Sequence, residues 1–185
     1  MNKRQTFPYL AILLWLSVGA VAAAQPAASS ATTGAKWLEK FVGSWETSST
    51  AAAEAGGGDA PMEGTIESKM VGKFWLVTSM TAELGAFKMK GLQTIGYDSK
   101  KKAYVGTWID NSSEFMWHYK GSVDESGQVL SLEAMGPDMT DASKQVLYRD
   151  MYEFVSKDKI QLTSSVKGPD GKWIDFMTGI AKRTP

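Results

Sequence analysis

No cysteine occurs in the chain, and histidine occurs once. The first absence excludes disulfides, a thiol nucleophile and a lipid carried on a lipobox cysteine. The second leaves any Ser-His-acid triad dependent on His118 alone, and no nucleophile-elbow sequence accompanies it. An excess of basic charge is also missing, with 20 Lys and Arg against 20 Asp and Glu. Without a basic stripe, nucleic acid and anionic membrane surfaces are disfavoured as main partners. The run Lys100-Lys101-Lys102 follows Asp98-Ser99 and reads as a solvated turn. Long apolar runs are confined to the first residues, and the one from Tyr9 to Ala24 is short of the ~20 apolar residues of a membrane span.

That N-terminal run is instead organised as an address. Lys3 and Arg4 form a basic start, the uncharged stretch follows, and Ala22 and Ala24 are spaced as in an A-x-A cleavage site. Residues 1–24 are therefore expected to be a secretory signal peptide and the protein periplasmic or secreted, with no stable membrane insertion after cleavage. An uncleaved anchor is the alternative. Residues 25–35, rich in Ala, Ser and Thr, read as a flexible leader. Residues 36–185 then form a single domain, long enough to bury a core without covalent staples.

Within that domain the pattern is almost entirely β. Trp37, Leu38, Phe41 and Val42 lie near one face at helical spacing, enough for a short helix before Gly43-Ser44-Trp45 opens the first strand. The stretch AAAEAGGGDAP from Ala51 to Pro61 is a glycine-rich loop, expected to be mobile and able to cover a barrel mouth. From Met62 onward, runs rich in Trp, Tyr, Phe, Val, Ile and Thr alternate with turns at Gly72, Gly85, Asp98, Asp124 to Gly127, Asp158 and Gly168 to Gly171. Short connections favour antiparallel neighbours. Nine to ten such strands close most naturally into an up-and-down β-barrel, because closure removes exposed edges. A β-sandwich is the alternative.

Two stretches carry a family resemblance. Gly43-Ser44-Trp45 after a short helix resembles the G-x-W opening of lipocalins and the wider calycin group. The longer stretch GLQTIGYDSKKKAYVGTWIDNSSEF, followed by KGSVDESGQVLSL, resembles the bacterial domain-of-unknown-function family 1579, over roughly residues 36 to 182. The resemblance implies a lipocalin-like β-barrel and carries no activity with it. The motif residues have structural work of their own. Gly96 and Asp98 suit a strand end and a turn, and Trp45 can plug one end of a barrel under a cation from Lys182 or Arg183.

Strand parity then sorts the candidates for chemistry. Along Glu114 to Lys120, Phe115, Trp117 and Tyr119 share one face, while Glu114, Met116, His118 and Lys120 share the other. If the aromatic face is buried, His118 is an ordinary surface histidine. The alternatives are haem ligation by an inward His118 and a Cu(I) site made with Met116. A paired-carboxylate enzyme could draw on Asp98, Asp110, Asp138, Asp141, Asp150 or Asp175, but no spacing selects a pair. Asp150 stands out because it alternates with Val146, Tyr148, Tyr152 and Phe154; facing inward, it would be a carboxylate in an apolar cavity with a raised pKa.

The expectation is thus a barrel with an internal pocket for a small, mostly apolar ligand, lined by Phe87, Met89, Trp117, Tyr119, Tyr148, Asp150 and Tyr152. No metal site, cofactor or catalytic set is assigned. The competing classes are an envelope interaction or structural protein whose barrel is filled by its own side chains, and a hydrolase or isomerase using Asp150 or His118. Cavity volume separates the first two.

Overall fold

A computed structural model describes residues 30–52 and 61–185. The proposed signal peptide and most of the Ala51-to-Pro61 loop lie outside the described residues. Helix α1 (Ser30–Trp37) runs into a 3-10 turn (Leu38–Phe41). Ten strands follow: β1 (Gly43–Ala51), β2 (Met62–Val71), β3 (Trp75–Leu84), β4 (Phe87–Asp98) and β5 (Ala103–Asp110), then β6 (Trp117–Val123), β7 (Val129–Pro137), β8 (Gln145–Ser156), β9 (Lys159–Lys167) and β10 (Trp173–Arg183). Each pairs antiparallel with its sequence neighbours, and β1 pairs with β10 to close the barrel. The lipocalin-like barrel is therefore the fold, and the sandwich is excluded.

Turn chemistry explains the meander. Gly72, Gly85, Gly127 and Gly171 sit at tight turns with φ of +62°, +59°, +71° and +79°, a region that side chains disfavour. Asp98 Oδ1 accepts the backbone N–H groups of Lys100 and Lys101 at 3.0 and 3.1 Å, fixing the β4–β5 turn as its residue type suggests. Gly96 is required for another reason. A Cβ there would lie 2.6 Å from the ring of Trp75, which packs over it from β3.

The helical segment closes one end. Leu38, Phe41 and Trp45 are buried there with Leu76, Ile95, Leu130, Leu132 and Phe154. The Trp45 indole donates to the Phe41 carbonyl at 2.9 Å, and the Arg183 guanidinium lies 4.0 Å from its ring centroid. Of the two cations considered for this role, Arg183 fills it; Lys182 is exposed. Arg183 also donates to the Lys40 carbonyl at 2.9 Å and pairs with Asp158 at 3.2 Å, so one side chain ties together the 3-10 turn, the plug and the β8–β9 hairpin. The helix starts earlier than the Lys36 suggested by hydrophobic spacing. Its first turns are held by Tyr104 Oη donating to the Gly34 carbonyl at 3.1 Å and by burial of Ala35, contacts that no local pattern encodes. Among the described residues, no helix is long and apolar enough to cross a membrane.

Candidate functional site

The end of the barrel away from the helix is hollow. Its cavity has a volume of ≈ 540 Å³, within the range of ~300–1,000 Å³ common for small-molecule sites. Two features keep side chains from filling it. Ten strands enclose a wider lumen than the eight that side chains just fill. In addition, two inward tryptophans occupy space that glycines leave against the wall. A Cβ on Gly91 would fall 2.0 Å from the Trp108 ring, and one on Gly136 would fall 2.1 Å from the Trp117 ring. With those positions bare, the indoles fold against the sheet rather than across the lumen.

Midway along the cavity, four strands contribute a hydrogen-bonded girdle. Asp150 on β8 faces inward between Tyr148 and Tyr152 because strand residues alternate in direction. Register then places Ser164 of β9 opposite Asp150. Ser164 Oγ donates to Asp150 Oδ1 at 2.6 Å, and Tyr119 Oη, from β6, donates to Asp150 Oδ2 at 2.6 Å. Gln93 Nε2, from β4, donates to Tyr152 Oη at 2.9 Å. Burial pushes the Asp150 pKa above the ordinary carboxylate value, and the two hydroxyl donors offset only part of that rise. Burial, reinforced by the nearby Asp150 charge, likewise pushes the Tyr119 and Tyr152 phenols up, so both remain protonated at neutral pH. Asp150 lies deep in the protein yet keeps some accessible surface, since the cavity reaches its carboxyl group.

The mouth is aromatic and acidic. Phe115, Trp117, Tyr148 and Phe176 form an edge-to-face series with successive ring centroids 5.0, 5.0 and 6.0 Å apart. Tyr148 is fixed by donating to the Pro137 carbonyl at 2.7 Å. Asp110 accepts from the Trp108 indole at 2.7 Å and from the Ser112 N–H at 2.8 Å, as well as from the Ser112 hydroxyl. Desolvation works to raise the Asp110 pKa, but these donors outweigh it and hold it below the ordinary value. Asp138 is held low by the Thr140 hydroxyl and N–H, at 2.6 and 2.7 Å.

Six of the seven residues expected to line a pocket do so: Met89, Trp117, Tyr119, Tyr148, Asp150 and Tyr152. Phe87 does not. It has the inward parity but pairs with Leu84 at the rim of the β3–β4 hairpin, above the lumen, and 43% of its surface is exposed. Phe115 lines the mouth from the loop before β6 rather than from the strand itself. Thr47, Met62, Met80, Trp108, Ser164 and Phe176 also line the cavity and were not among the expected residues. The alternation Trp45-Thr47-Ser49 was the available signal on β1. For Phe176 none existed, because a bulge between Asp175 and Met177 resets the parity of β10. His118 is exposed on the outer face opposite Thr107 and does not line the cavity.

Sequence comparison reaches nearly the whole domain. The family described as "Protein of unknown function (DUF1579)" matches residues 31–183. The chain belongs to DUF1579. No curated protein matches it by sequence. Among solved structures, this DUF1579 barrel is similar to Rv2717c from M. tuberculosis, at 15% identity and a TM-score of 0.57, over 82% of this chain and 98% of that one. It is also similar to the S-type phycobiliprotein lyase CPES from Guillardia theta, at 15% identity and a TM-score of 0.51, over 81% and 92% of the two chains. A further similar barrel is EF1p2_mFAP2b, solved bound to DFHBI, at 11% identity and a TM-score of 0.42, over 83% and 99%. At 15% identity, the likeness to the first two structures shows a shared barrel fold and leaves the chemistry to the cavity itself.

Proposed function

We propose that this DUF1579 protein is an exported carrier or receptor that holds a small, mostly apolar molecule in the open half of its barrel. The observation that carries this function is the ≈ 540 Å³ aromatic cavity above a sealed end. A barrel built only as a rigid scaffold gains from packing its lumen, since dispersion contacts are forfeited wherever a void remains. Here the sealed half is packed and the open half is not. The tryptophans folded over Gly91 and Gly136 add aromatic surface without closing the space. Most of the lining is apolar, while Asp150, Tyr119 and Tyr152 supply a few fixed polar groups able to orient a guest. The signal-like N-terminal sequence favours a site of action outside the cytoplasm.

The direct trial is titration with Nile red, whose emission reports an apolar environment, on protein shown by circular dichroism to be folded. Saturable binding is expected, weakened roughly tenfold by Trp117→Ala or Tyr148→Ala, as loss of a well-packed aromatic contact worth ~1–2 kcal/mol implies. Undetectable binding, or binding indifferent to both substitutions, would assign the barrel to the interaction or structural class instead. Native mass spectrometry of protein purified from its own host would reveal the retained guest.

A further inference from the structure

The ionisable groups of the cavity are all of one sign. Asp150 lies midway along it and Asp110 and Asp138 at its mouth, while no Lys, Arg or His lines it among the described residues. A cavity built for fatty acids or other anions would place a cation where Asp150 stands, because an anion beside a buried carboxyl group is repelled with little screening. Each Asp150 oxygen accepts one hydroxyl, from Tyr119 or Ser164, which pins the carboxyl plane and leaves acceptor capacity turned toward the lumen. Tyr119, Tyr152 and the rim aromatics add electron-rich ring faces, which attract cations in desolvated sites. The mouth carboxylates Asp110 and Asp138, held ionised by their loops, add a negative field along the entry path.

From this cavity geometry we infer that the guest is an apolar molecule bearing a protonated nitrogen, seated with its N–H donors on Asp150. This inference deepens the cavity-binding function proposed above and depends on it. Binding such a cation reverses the strain on Asp150, since the buried carboxylate gains the counter-charge that the folded protein does not supply. It also makes recognition pH-dependent with a defined sign. The titratable groups lining the cavity are Asp150, Tyr119, Tyr148 and Tyr152, with Asp110 and Asp138 at the mouth. The phenols stay neutral below their raised pKa values, so the pH dependence on the acid side is that of the carboxyl groups, Asp150 titrating first as pH falls.

The experiment is displacement of Nile red by decylamine, decanol and decanoate, three probes of equal chain length. A charge-assisted hydrogen bond in place of a neutral one is worth ~1.5 kcal/mol, so decylammonium should displace the dye at about one-tenth the concentration of decanol, with decanoate weakest. Asp150→Asn should abolish the tenfold preference, bringing decylamine to the level of decanol. In wild type the same convergence should appear as pH falls through the raised pKa of Asp150, which keeps the test valid if the variant folds poorly. Decanol matching or exceeding decylamine at neutral pH, or an amine preference that survives Asp150→Asn, overturns the inference while the cavity-binding function stands. Failure of all three probes and of the dye to bind overturns both.

Discussion

Replacing Trp45 by alanine strikes the sealed end of the barrel at its most constrained point. The indole is 1% exposed, donates to the Phe41 carbonyl at 2.9 Å, and carries the Arg183 guanidinium at 4.0 Å. Truncating a buried tryptophan costs ~3–5 kcal/mol. Loss of the cation–π contact places this substitution in the upper part of that range. The guanidinium keeps its carbonyl and Asp158 partners, so it is not left unpaired. An overall loss of about 4–5 kcal/mol follows, a large share of the ~5–15 kcal/mol stability of a domain. In urea, with a slope of ~2 kcal/mol/M, the unfolding midpoint should fall by about 2 M; in a thermal scan Tm should drop by about 10–15 °C. Trp45→Phe should recover part of the loss through retained packing. Trp75→Ala is the internal contrast, because Trp75 is 45% exposed where it covers Gly96 on the outer wall and should cost only about 1 kcal/mol. If Trp45→Ala and Trp75→Ala unfold at the same denaturant concentration, the plug does not hold the sealed end.

Three further outcomes follow from other positions. The folded pKa of Asp150 is raised by burial, so its contribution to stability is fully present below the unfolded value and is lost as pH rises through the folded one; urea titrations across pH should show wild type losing ground to Asp150→Asn over that window, and parallel curves would refute the burial argument. Gly136→Ala should drive the Trp117 ring toward the lumen, costing ~1–3 kcal/mol and weakening Nile red binding, whereas unchanged binding would show that the bare wall position is not what keeps the cavity open. His118→Ala, on the outer face, should leave both stability and dye binding unaltered, within ~0.5 kcal/mol in urea unfolding.

Legibility from sequence differed between the fold and the site. Hairpins were readable because their turn residues act locally: Gly72, Gly85, Gly127 and Gly171 mark their own positive φ, and Asp98 caps its own turn. Closure was not local, since pairing of β1 with β10 joins residues from opposite ends of the domain, and the choice between barrel and sandwich rested on the general cost of open edges. At the site, alternation put Asp150, Tyr148 and Tyr152 on one face of their strand, and that face lines the cavity. Parity gives the face of a strand but not the height along it, so Phe87 was assigned to a lumen that its position at the hairpin rim puts out of reach. Thr47 and Ser164 were missed because small hydroxyl residues resemble an outward face until a cavity partner such as Asp150 is known. The uniform sign of the cavity's charges emerged only when three separated loops and strands were brought together.

The seam between β1 and β10, where Trp45 faces Arg183, also sets the order of assembly. Every other pairing joins consecutive strands and can zip as hairpins within microseconds. The last one must wait until the entire meander is in place, so loop-closure entropy is concentrated in a single late step. Until then the chain exists as a curved ribbon with two unpaired margins, β1 on one side and β10 on the other, each able to recruit a second copy. A chain interrupted before Trp173 would retain that ribbon permanently, with β1 and β9 as its margins. The hazard this protein must manage is therefore kinetic, and the docking of Arg183 onto the first strand's tryptophan is the contact that ends it.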